Sequence, residues 1–317
     1  MEPASTSQTA TPAANPSDPD ATAARRGFFF ALAAYLLWGV MPLYMKAVAH
    51  IPALEVLAHR IVWSVPVAGV LLLVLGRTAD IRAALRSPRI LGMATLTATI
   101  IAANWGVYVW AISVERTVET ALGYYINPLV TVVMGAVLLG EKLSRPQLIA
   151  VGLAALAVAV LTYEAGGLPW ISLFLAITFA IYGYLRKTLP IGPSQGFFLE
   201  VLVLLLPALA YIAWAGATGR GHFVEAGTDG MALLMLAGPF TAVPLILYAF
   251  GAKLLRLSTI GIMQYIGPTL IASIAVFVFG EPFGPLRILA FALIWSALAL
   301  YTWSMFFGRG KAATAGR

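Results

Sequence analysis

Four side chains able to carry charge or a hydrogen bond stand together early in an otherwise apolar stretch. Glu55, His59 and Trp63 recur every fourth residue, which puts them on one face of a helix, and Arg60 lies beside them. An ionisable group at a bilayer centre costs about 2.5–3.5 kcal/mol on insertion scales, so such groups turn toward protein or a wet cavity. Two readings are open. Either Glu55 and His59 pair near a helix start while Arg60 makes a structural ion pair, or His59 and Arg60 face a cavity and hold an anionic group or relay a proton. His59 has no second His within helical reach, so it is not read as a metal ligand, and neither metal nor cofactor is expected. Glu200 stands in the second half where Glu55 stands in the first. Glu55, His59 and Glu200 are therefore the candidates for proton coupling.

A second group is uncharged. Thr120, Tyr124, Asn127, Thr131 and Met134 fall at spacings of four and three, one polar stripe down a helix. Such a stripe either glues helices or lines a cavity. Pro128 follows Asn127 and frees a backbone carbonyl, which makes it a hinge candidate. Ser258, Gln264, Tyr265 and Pro268 repeat the arrangement, with Pro268 as the second hinge candidate. Weaker lining candidates are Tyr35, Trp38, Pro42 and Lys46, Asn104 with Tyr108, and Thr178 with Tyr182. Trp110 reads as an interface aromatic. Substrate-binding candidates are thus Trp38, His59, Arg60, Trp63, Asn104, Tyr124, Asn127, Tyr182, Gln264 and Tyr265.

These residues need membrane helices to position them. The chain is 61% hydrophobic and 10% charged, with a mean hydropathy of +0.89, which a water-soluble domain does not sustain. Long apolar runs without alternating polarity argue against an outer-membrane barrel. Without cysteine there is no disulfide framework, thiolate metal site or Cys nucleophile. The net charge of +7 is explained by its distribution in loops and not by nucleic acid. Residues 1–25 read as a disordered cytoplasmic tail, and 308–317 as a second short tail. Ten spans are expected, near 27–49, 55–76, 89–112, 120–139, 147–163, 167–186, 195–215, 230–250, 258–279 and 283–307, each about the length a helix needs to cross roughly 30 Å of hydrocarbon.

The spans are duplicated. Tyr-Ile-x-Pro followed by an apolar run and Gly-Glu occurs twice, so Tyr125, Pro128 and Glu141 pair with Tyr265, Pro268 and Glu281 at one constant offset. The fold class expected is an all-α membrane protein of ten transmembrane helices, as two inverted five-helix repeats over 26–163 and 167–307. Lys and Arg crowd the connections on the side of the N-terminus, whereas the other side carries only Arg116, Arg220 and Arg287, which sets both termini in the cytoplasm. Glu141 and Glu281 end spans, and Ser144-Arg-Pro-Gln147 reads as an N-cap with a returning Gln. Glu141 is therefore read as a structural tie that accepts backbone N–H bonds.

With Ala34-Tyr-Leu-Leu-Trp-Gly39, His59-Arg-Ile-Val-Trp-Ser64, Asn104-Trp105, Leu122 to Pro128 and Gln264 to Thr269, the sequence resembles the EamA families of the drug/metabolite transporter superfamily over about residues 26–307. The resemblance implies a permease of the inner membrane with a central cavity between the repeats. Inverted repeats by themselves place a binding site near the midplane and allow alternating access. The expectation is a secondary transporter of a small metabolite or drug-like solute, with export favoured, acting as monomer or homodimer in a lipid bilayer without nucleic acid. No phosphate-binding loop pattern is present to supply nucleotide hydrolysis. The rival classes are an intramembrane enzyme and a non-transporting membrane sensor.

Overall fold

The computed structural model describes residues 19–114, 116–167, 170–224, 227–280 and 284–307. Glu281, the second of the repeated glutamates, lies outside them. All regular structure among the described residues is helical: α1 (Pro19–Gly39), α2 (Met41–Ala47), α3 (Ala53–Val74), α4 (Thr78–Leu85), α5 (Pro88–Ser113), α6 (Thr117–Leu138), α7 (Arg145–Glu164), α8 (Trp170–Thr188), α9 (Pro193–Ala217), α10 (Gly227–Leu254), α11 (Leu257–Met263), α12 (Ile266–Phe277) and α13 (Pro285–Phe307). Among the described residues nine stretches are long and apolar enough to cross a membrane, with α1 and α2 counted as one and α11 and α12 as another. In hydrocarbon every backbone amide needs an internal partner, which is why such sequences fold as helices. The sixth predicted span falls on α8, a 19-residue helix whose last turn carries Arg186 and Lys187.

The boundaries differ from expectation where proline intervenes. The first span was expected to be continuous, but it breaks at Val40 because Pro42, at the start of α2, has no N–H to continue the ladder. Its helix starts at Pro19 and its apolar stretch at Thr22, so residues 19–25, expected to belong to a disordered tail, are instead the first turns of α1. The ninth span breaks at Gln264 and Tyr265, four and three residues ahead of Pro268. Pro128, by contrast, sits inside an unbroken α6. The connection after α3 folds as the extra helix α4.

Small residues set the packing. Ala150, Ala154, Ala157 and Leu161 of α7 meet Ala290, Ile294, Ala297 and Tyr301 of α13, an interval of three or four residues that lets two helices approach closely. Several of the larger pairings exchange onto one another when α1, α3, α5, α6 and α7 are matched in order with α8, α9, α10, α11–α12 and α13, whereas α8–α10 and α9–α10 have no counterpart of similar size. The α6–α8 contact matches α12–α1, α5–α8 matches α10–α1, and α5–α9 matches α10–α3. Meanwhile α3–α9, α6–α11 and α7–α13 map onto themselves. Outward-facing apolar side chains such as Phe277 (86% exposed), Val137 (73%) and Leu206 (76%) leave a surface suited to lipid.

One end of the bundle is tied by charge. Lys187 Nζ donates to the carbonyls of Ala252, at 3.0 Å, and Leu255, and Lys253 Nζ donates to that of Leu189. Arg256 Nη2 donates to Lys142 O at 2.6 Å, and Glu141 accepts from Leu257 N–H at 2.7 Å and Ser258 N–H at 2.9 Å. The expected structural tie at Glu141 is therefore present, and it joins the end of α6 to the start of α11. The capping box of Ser144 and Gln147 starts α7 as expected, with Ser144 N–H donating to Gln147 Oε1 at 2.9 Å.

Candidate functional site

Arg60 is placed by α3, about 10 Å along the axis from the Ala53 end at 1.5 Å per residue. Its Nε donates to Thr241 Oγ1 at 2.8 Å, and Thr241 is itself fixed by donating to Ala237 O at 2.7 Å. The guanidinium lies over the Trp105 ring, 5.1 Å from its centre. It is also within electrostatic reach of the hydroxyls of Tyr124, Tyr44 and Tyr108. Tyr108 and Tyr124 meet edge to face at 6.0 Å, and Tyr124 keeps 45% of its surface accessible. Trp105 of α5 and Thr241 of α10 thus touch the cation directly, one from each half, and the tyrosines of α2, α5 and α6 stand within its field. Among the described residues no carboxylate pairs with it.

α10 reaches α3 this closely because Gly238 rests on the Trp63 backbone, where a Cβ would collide. Ser64 Oγ donates to Arg60 O at 2.5 Å and lies 3.3 Å from Gly238 O, at the same crossing. Next to Arg60, His59 is buried and stacks on Phe223 at 4.9 Å, and neither of its ring nitrogens has a hydrogen-bond partner. Trp63 lies 6.2 Å from the same Phe223 and leaves Nε1 unpartnered. The loop bearing Phe223 is strapped down by Glu55, whose carboxylate accepts from His222 N–H at 2.6 Å and lies 2.8 Å from His222 Nδ1.

A second cluster lies between α1, α8 and α10. Tyr35, Trp38, Phe179, Tyr182 and Tyr248 contact one another with ring centres 5.7 to 6.3 Å apart. The Gln264 amide adjoins the Tyr35 and Tyr248 hydroxyls, a buried polar contact within the aromatic cluster. A polar line continues across the α6–α11 crossing, where Thr131 Oγ1 donates to Asn127 Oδ1 at 3.0 Å and lies 3.5 Å from Gln264 Oε1. Buried polar atoms without partners are rare in native proteins, and those of His59 and Trp63 are open to a water, an ion or a solute.

The predicted residues therefore divide. Arg60 and Tyr124 share one site with His59 and Trp63 beside it, and Trp38, Tyr182 and Gln264 share or edge the aromatic cluster. Asn104 instead ties α5 to α8, donating to Leu175 O at 2.9 Å and Thr178 Oγ1 at 2.8 Å. Tyr265 is fully buried and donates to Tyr125 O at 3.2 Å. Glu200 is buried, accepting from Arg186 Nη1 at 3.2 Å and from Tyr182 Oη at 3.1 Å, so both of its oxygens are engaged. Thr241, Trp105, Phe223, Phe179 and Tyr248 were not anticipated. One signal did exist, because the offset that carries Tyr125 onto Tyr265 also carries Tyr108 onto Tyr248. Two apolar grooves on the outer surface, between α12 and α13 and along α7, contain none of these residues.

A helical bundle with a lipid-suited exterior and an aromatic-lined polar interior defines a multi-pass membrane protein. Residues 25–163 match the model of the EamA-like transporter family. Protein RarD of Streptomyces exfoliatus is 43% identical, the match covering 88% of this chain and 89% of that protein. Protein RarD of Escherichia coli (strain K12) is 38% identical over 89% and 95%, and an uncharacterized transporter of Vibrio cholerae serotype O1 is 37% identical over 90% and 94%. A solved crystal structure aligns with a TM-score of 0.66 at 20% identity, over 89% of this chain and 96% of that one, which supports the fold alone. The chain belongs to the EamA-like transporter family, as a RarD-like membrane transporter.

Proposed function

We propose that this protein is a secondary transporter that moves a small metabolite or drug-like solute across the inner membrane by alternating access between two inverted five-helix units, 26–163 and 167–307. The observation that carries the proposal is Arg60. A cation without a carboxylate partner among the described residues, held from both halves beside a half-exposed Tyr124, is costly within a bilayer unless water or a solute completes it. The exchange of helix pairings between the halves supports a rocking mechanism. The charged ties among Glu141, Lys187, Lys253 and Arg256 hold one end of the bundle together. That tied end gathers the excess of Lys and Arg, which favours placing it, and both termini, in the cytoplasm.

The test is a metabolite-wide flux screen with the purified chain in proteoliposomes, with and without an imposed proton gradient. Solute-specific flux above protein-free vesicles is expected. Flux for no solute in either direction overturns the proposal.

A further inference from the structure

We infer that the Arg60 site takes the carboxylate of a monoanionic organic solute whose apolar or aromatic body lies against Trp105 and the Tyr108–Tyr124 pair. The inference rests on the transport reading for its physiological role, but the binding chemistry stands by itself. Thr241 fixes the guanidinium: its hydroxyl proton is committed to Ala237 O, so its oxygen accepts from Arg60 Nε and holds the fork in one orientation. Among the described residues neither terminal nitrogen of Arg60 makes a hydrogen bond. These two nitrogens are the part of the fork that matches the two oxygens of a carboxylate.

Among the described residues the carboxylates on the flanking helices face other groups: Glu55 of α3 holds His222, and Glu119 of α6 pairs with Arg116 through Oε1, its Oε2 lying buried without a partner. The charge on Arg60 is therefore left for a ligand. One lone cation balances one negative charge, which favours a monocarboxylate over a phosphate dianion or a neutral amide. The walls agree with an organic body, since Trp105 offers a ring face beside the guanidinium and the tyrosine pair offers ring edges with hydroxyls.

Isothermal titration of the purified full chain in detergent against four matched probes tests this: phenylacetate, phenylacetamide, phenethylammonium and phenyl phosphate. Phenylacetate is expected to bind at least about tenfold more tightly than the other three, the ratio that one charge-assisted bidentate contact supplies. Arg60→Gln is expected to lose that preference, and Arg60→Lys to retain part of it, because the charge survives and the fork does not. Should Arg60→Gln fail to fold, Thr241→Val frees the guanidinium and is expected to weaken phenylacetate several-fold without changing phenylacetamide. Equal binding of the amide or the ammonium probe, preference for the phosphate, no phenylacetate binding at millimolar concentration, or carboxylate preference surviving in Arg60→Gln overturns the inference. Carboxylate binding without flux in vesicles sinks the transport reading and leaves this one standing. Flux without carboxylate preference does the reverse.

Discussion

Replacing Glu141 tests whether the end of α6 holds α11 in place. The carboxylate accepts two backbone N–H groups, from Leu257 at 2.7 Å and Ser258 at 2.9 Å, and Arg256 Nε stands 3.8 Å from Oε2. A hydrogen bond to a charged group contributes about 1.5–3 kcal/mol, and a negative charge at a helix N-terminus adds about 0.3–1 kcal/mol. These terms overlap and water reaches part of the exposed end, so Glu141→Ala is expected to cost about 3 kcal/mol, below their simple sum. Glu141→Gln keeps the shape and one acceptor and should cost about half as much. Arg256→Ala removes a partner that is 40% exposed, together with its hydrogen bond to Lys142 O, and should cost about 1 kcal/mol or less. Gly135→Ala provides an independent route, because its Cβ would lie 2.9 Å from Glu141 Oε2 and 3.0 Å from Ser258 N, displacing the cap without touching its charge. Unfolding in mixed micelles, followed by tryptophan fluorescence, gives the ranking. If Glu141→Ala falls within about 0.5 kcal/mol of the parent, or if Arg256→Ala is the more damaging change, the cap does not hold α11.

Three further outcomes follow from the same geometry. Glu200→Gln leaves Arg186 buried without its carboxylate and should cost about 3–5 kcal/mol in the same unfolding assay, most of it recovered when Arg186→Met and Glu200→Leu are combined. Gly238→Ala forces a methyl group into the Trp63 backbone and should cost about 1–3 kcal/mol by parting α3 from α10, whereas Gly152→Ala, with open space at its Cβ, should be neutral or stabilising. Glu55→Gln should loosen the loop that carries His222 and Phe223, seen as faster labelling of a cysteine introduced at Arg220 by a water-soluble maleimide.

How far the sequence could be read depends on whether a partner lies on the same helix. The apolar spans were legible because hydropathy acts locally, whereas proline misled as often as it guided, since Pro268 follows a break, Pro128 lies in an unbroken α6 and the break beside Pro42 was not expected; the Glu141 tie was legible in kind because a carboxylate after a helix-ending Gly seeks backbone donors. Its partner was not, since the chain places α7 next while the structure brings α11. The same limit hides Thr241 from Arg60, 181 residues away, and His222 from Glu55, 167 residues away. Periodicity reports which side chains share a face, but the crossing point of two faces depends on helix register, and here that register is set by a glycine with no chemistry of its own. Gly238 lets α10 rest on Trp63, and one turn further on Thr241 meets Arg60. Apolar helices offer few polar contrasts from which such a crossing could be inferred, so duplication is the remaining source of long-range information. It reaches Tyr248 through Tyr108, but it offers no counterpart for Arg60, whose partners come from both halves and whose charge exists in only one.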